Sequence, residues 1–241
     1  MMTFQTPLFL SHLSTFDMAA VAYLILSMAA MTWITSHGLF GRRPTGEMVS
    51  EYRVIWMRRA ARRVPRVTDA TLLGGLRANT AFFASSSLIA IGGVIAVFSN
   101  VERLNAITAD LFGSQGMVES QEVKLLVIVL ILVYGFLKFV WSQRVFGYCS
   151  VVLGAMPGDQ PEDLDEDLIE REVMRAARLN SLAARSFNKG LRSIYYALAT
   201  MAWFLGPIPF LIAVTLTSAM MIRREFASNT RDALKLSLIH I

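Results

Sequence analysis

Residues 77–98 read RANTAFFASSSLIAIGGVIAVF, and from Thr80 to Phe98 the run holds no charged side chain. A helix rises about 1.5 Å per residue, so this run covers about 28 Å, close to the hydrocarbon thickness of a bilayer. In lipid every backbone N–H and C=O needs an internal partner, and apolar character with no period of two excludes a barrel strand. Three further stretches have the same character: FDMAAVAYLILSMAAMTWITS at about 16–36, a run at about 123–141, and a longer one at about 194–222. The pattern predicts an all-α integral membrane four-helix bundle forming a single domain over residues 1–235.

Composition agrees. The chain has 241 residues, 54% hydrophobic and 17% charged, with mean hydropathy +0.49, against roughly 45–50% apolar and 25% charged in soluble domains. A net charge of +5 and a pI near 9.7 could serve nucleic acid or anionic lipid, and apolar blocks of this length favour lipid and exclude nucleic acid. Cys149 stands alone, so no intramolecular disulfide forms, and a small residue at a helix interface is expected there. Residues 1–15 carry no Lys or Arg, so no cleaved leader is expected. LSLIHI, residues 236–241, is the translation of a transposon-end adapter, CTGTCTCTTATACACATC, and is expected to be a sequencing scar.

Eight arginines lie between Arg42 and Arg66 and seven basic residues between Arg144 and Arg192. The other side would hold Arg103, Lys124, Arg223, Arg224, Arg231 and Lys235. The positive-inside rule then places both connecting segments in the cytoplasm and both termini outside. The arginines of MIRREF conflict with that orientation, a conflict that a three-span or re-entrant arrangement would remove.

The connecting segments read as amphipathic helices. Val49, Tyr52, Trp56, Ala60 and Val64 form one stripe, while Arg58, Arg62 and Arg66 recur every four residues on another, suited to lipid phosphate, with Pro65 as the stop. After the third span an acidic run from Asp159 to Asp167 precedes a helical face of Val173, Ala177, Ala184, Phe187 and Leu191. Asp163, Asp165 and Asp167 lack the glycine and bidentate glutamate of a calcium loop, so no metal is expected.

Three histidines, His12, His37 and His240, leave little for imidazole catalysis, and no phosphate-binding loop is present. No catalytic residue and no cofactor are expected. Arg77 suits a headgroup anchor, as does Lys138. Ser85, Ser86, Ser87, Gly92 and Gly93 offer a small-residue surface for a neighbouring helix. Pro207 and Pro209 should break the fourth span in mid-membrane, where exposed carbonyls could serve a transport path.

Three strings together resemble the integral membrane family catalogued as domain of unknown function 599. They are EYRVIWMRRAARRVPRVTDATLLGGLRANTAFFASS, LKFVWSQRVFGYCSVVLGAMP, and SFNKGLRSIYYALATMAWF with MIRREFAS closing. The likeness runs from about Phe16 to Ser228. It implies a membrane protein of bacteria and plants, with the bacterial inner membrane as the expected location here, and brings no mechanism. Gly147 stands where the pattern leads one to expect asparagine. The motif positions Arg77, Asn79, Lys138, Arg144, Asn188 and Arg192 all fall near the cytoplasmic ends of their spans, and are expected to converge into an anion or lipid-headgroup site. The expected function is a non-enzymatic scaffold or assembly subunit that binds anionic membrane lipids or other membrane proteins, in an oligomer of its own copies where needed. The alternative is a small transporter or channel subunit.

Overall fold

The computed structural model describes residues 14–39, 41–112, 118–156 and 166–238. The chain forms helices α1 (Thr15–His37), α2 (Thr45–Ala61), α3 (Val67–Phe98), α4 (Val101–Phe112), α5 (Val118–Ala155), α6 (Glu166–Thr200), α7 (Pro207–Phe226) and α8 (Asn229–Leu238), with a 3-10 turn at Met201–Leu205. The described residues hold no β-strand beyond an isolated bridge of Leu39 with Arg42. Three helical segments, Thr15–His37, Val67–Phe98 and Gln121–Ala155, are long and apolar enough to cross a membrane. His12, His240, Asp163 and Asp165 lie outside the described residues.

Local chemistry sets the helix ends. The Ser14 hydroxyl accepts from the Asp17 N–H at 3.1 Å and opens α1, while Gly38, at φ +83°, closes it with its N–H on the Ile34 carbonyl. The serines of α3 spend their hydroxyls on their own helix. Ser86 donates to Phe82 O at 2.8 Å and Ser87 to Phe83 O at 2.7 Å, which removes the cost of an unpaired hydroxyl in apolar surroundings. The expected small-residue packing surface is only partly used: Ser87 is buried, but a Cβ placed on Gly92 or Gly93 would meet nothing within 4 Å.

α5 and α6 form a long antiparallel pair. Ser142 donates to Ala183 O at 2.7 Å, and Cys149, buried as expected, donates to Ala176 O at 3.4 Å. Small residues let the two backbones approach where Gly135 faces Ser193 and Gly190 faces the Phe139 ring. α3 joins through Phe83, whose ring lies 5.5 Å from Phe139 and 5.4 Å from Phe187. The three aromatics tie three helices at one level.

The segment expected as a fourth span at 194–222 is not one helix. α6 ends at Thr200, the 3-10 turn follows, and Gly206, at φ +119°, leads into Pro207 at the start of α7. Proline suits a first helical turn because its missing N–H would be unpaired there anyway. Contacts along α7 rise in step with those along α1: Trp203 Nε1 donates to Asp17 Oδ1, Tyr23 OH pairs with Thr215 Oγ1, and Tyr196 OH meets both Ser27 O and Ser218 Oγ. α7 therefore runs parallel to α1 and antiparallel to α6. The reversal lies beside Asp17 of α1 and Lys124 of α5, at the end of the bundle, so the Pro207–Pro209 break does not fall midway along the helices.

Two cores result. One joins α1, α5, α6, the 3-10 turn and α7 through Leu24, Leu132, Tyr196, Trp203 and Phe210. The other, at the arginine-rich end, joins α2, α3, α5 and α6 through Met57, Leu73, Phe146 and Val173.

Candidate functional site

At the basic end α2 packs on α6 and has its own polar partners. Arg58 Nη2 lies 2.6 Å from Glu170 Oε1, and this guanidinium holds the Glu170 carboxyl below its ordinary value. Arg66, beyond the end of α2, donates to Ala60 O, Ala61 O and Met156 O at 3.1, 3.0 and 2.6 Å. It thus caps the C-termini of α2 and α5, where the helix dipoles favour a cation. Of the three arginines expected to face lipid phosphate as one stripe, Arg58 and Arg66 bind protein groups, and Arg62 is exposed with Glu170 as an electrostatic neighbour. The aromatic stripe finds a polar partner too: Trp56 Nε1 and Arg63 Nη1 both donate to Asp69 Oδ1, at 2.8 and 2.7 Å, and Asp69 is fully buried.

The six residues expected to converge divide into two groups. Arg77, Asn79, Arg144 and Asn188 are exposed. Arg192 and Lys138 come together around a residue outside the expected six, Lys189, which has Lys138, Arg192 and Arg185 as electrostatic neighbours. The Lys138 Nζ sits 5.1 Å from the Tyr134 ring centre.

Lys189 and Arg192 line a cleft of about 570 Å³ between α1, α5 and α6. Its α1 wall is Ile25, Met28, Ala29, Thr32, Trp33 and Ser36, spaced to share one helical face. His37 closes the wall, its ring stacked 5.3 Å from Trp33. From Ile25 to His37 the wall is about 18 Å long. Tyr134 comes from α5, while Ser193 and Tyr196 continue the α6 side. Three wall hydroxyls are already used within their own helices: Thr32 donates to Met28 O, Ser36 to Thr32 O and Ser193 to Lys189 O. Tyr196 OH holds Ser27 O and Ser218 Oγ. Neither Lys189 nor Arg192 has a carboxylate within 4.0 Å among the described residues. Glu225, an electrostatic neighbour of Arg192, accepts the Gly46 N–H at 3.0 Å.

The cleft thus has apolar walls and a cationic end. Its α1 wall escapes a reading of sequence because α1 carries apolar residues on every face, so a face lining a groove looks like a face meeting lipid. No group of three His, Cys, Asp or Glu able to hold a metal stands together among the described residues.

No curated protein and no solved structure matches the chain. Residues 19–230 match the family described as protein of unknown function, DUF599, and the chain belongs to that family.

Proposed function

We propose that this chain is a non-enzymatic integral membrane scaffold that gathers anionic lipid at one face. In this reading α1, α3, α5, the last turns of α6 with the 3-10 turn, and α7 make five crossings. The N-terminus is outside, and α2 and α8 lie in the cytoplasm. The observation that carries it is the parallel course of α1 and α7. It brings Arg223, Arg224 and Arg231 to the end that holds α2, where Thr45 Oγ1 donates to Glu225 O at 2.7 Å and Tyr52 OH to Leu234 O at 3.3 Å. The conflict posed by MIRREF disappears, and Arg103 and Lys124 are the cations left at the other end among the described residues. From Asp17 to His37 α1 rises about 30 Å, the hydrocarbon thickness.

Each basic residue near an anionic leaflet contributes about 1 kcal/mol of attraction, weakened by salt. Arg59, Arg62 and Arg144 are exposed at the basic end. Replacing all three by Gln in nanodiscs of phosphatidylglycerol and phosphatidylcholine should lower the enrichment of phosphatidylglycerol around the protein. Unchanged enrichment at low salt contradicts the proposal. The transporter alternative rests on the Pro207–Pro209 break and on the polar face of α3, and the first of these lies at the end of the bundle.

A further inference from the structure

We infer that the cleft between α1, α5 and α6 holds one acidic phospholipid, its phosphate between Lys189 and Arg192 and an acyl chain along the α1 wall. The inference rests on the membrane reading above and gives it a stoichiometric site. Three observations select this occupant. Among the described residues the cations at the cleft's end lack a carboxylate at ion-pair distance, and Lys138 adds a third positive charge beside them. A phosphate accepts several charge-assisted hydrogen bonds from such donors. Thr32, Ser36 and Ser193 spend their donors on carbonyls within their own helices, so away from the cations the walls are suited to methylene groups.

Length and position agree with a lipid. The wall of about 18 Å is slightly longer than half of a hydrocarbon core about 30 Å thick. His37 and Lys189 mark the end nearest α2, where headgroups would lie, and Ile25 marks the end nearer the centre. Trp33, 60% exposed, stands near the cationic end, the depth at which tryptophan gathers in membrane proteins. A soluble anion would satisfy the cations and make no contact with Ile25, Met28 and Ala29.

The test uses the full chain in detergent, followed by native mass spectrometry with added phosphatidylglycerol, phosphatidylcholine or inorganic phosphate. The wild type should retain one phosphatidylglycerol per chain, displaced neither by phosphatidylcholine nor by inorganic phosphate. Lys189→Gln with Arg192→Gln should weaken that binding at least tenfold. Ala29→Phe fills the cleft without changing charge and should do the same; Ala29→Leu is a milder filling if the larger side chain prevents folding. Arg59→Gln with Arg62→Gln and Arg144→Gln should lower lipid enrichment in nanodiscs and leave the single bound lipid in place. Wild-type affinity in both Ala29 variants, or displacement by equimolar inorganic phosphate, overturns the cleft site. Loss of the bound lipid in the arginine triple variant alone also overturns it and leaves the diffuse basic surface as the lipid contact.

Discussion

Gly190 on α6 faces the Phe139 ring of α5 so closely that a Cβ placed on it would lie 2.8 Å from Cε1 and 2.9 Å from Cζ. Phe139 is itself fully buried and wedged against Phe83 and Phe187 at 5.5 Å each. The ring therefore has little room to turn aside. Gly190→Ala should destabilise the protein by about 1–3 kcal/mol, the usual cost of overpacking. Thermal unfolding in detergent measures it. Adding Phe139→Leu to Gly190→Ala should recover part of the loss, and a double variant no better than the sum of its parts would show that the contact is not the cause.

The buried Asp69 carboxylate joins α3 to α2 through Trp56 and Arg63. Its Oδ1 takes both donors, and Oδ2 has no partner among the described residues. Asp69→Ala removes the acceptor of both the Trp56 N–H and the partly exposed Arg63 guanidinium and should cost about 3 kcal/mol, two hydrogen bonds to a charged group. Trp56→Phe removes one hydrogen bond and should cost about 1–2 kcal/mol. Equal losses in denaturant unfolding would contradict a dominant ion pair.

Arg58 and Glu170 are half exposed, with side chains 55% and 47% accessible, so their pair is screened and contributes little at neutral pH. Its signature is in acid. The folded carboxyl titrates below its unfolded value of about 4.3, so the stabilisation is present above that value and is lost as pH falls through the folded one. Glu170→Gln should leave the unfolding temperature at pH 7 nearly unchanged and flatten its decline below pH 5. An unaltered acid decline would mean that the pair does not persist in solution.

Much of this architecture is legible in the residues themselves. α1, α3 and α5 follow from uninterrupted apolar runs, and the basic connecting segments follow from their 3.6-residue spacing. The course of the chain after Thr200 is less legible, because Pro207 and Pro209 mark a break but do not say whether the chain bends or turns back. That depends on the positive φ of Gly206 and on Tyr23, Tyr196 and Trp203 finding partners on other helices. The site was half legible for a similar reason. Arg192 and Lys138 were among the motif residues, while Lys189 and the α1 wall acquire meaning only when α1, α5 and α6 stand together. Arg58 and Arg66 show the converse: a periodic stripe on paper whose members bind Glu170 and helix-end carbonyls.

The reversal at Gly206 carries the membrane arrangement, and cysteine accessibility in intact membranes tests it most directly. Arg62, Asn100 and Thr230 are exposed positions, and the native Cys149 is buried. With a membrane-impermeant thiol reagent applied from each side in turn, Arg62→Cys and Thr230→Cys should react from the same side and Asn100→Cys from the other. Labelling of Thr230→Cys together with Asn100→Cys, opposite to Arg62→Cys, would contradict the five-crossing arrangement.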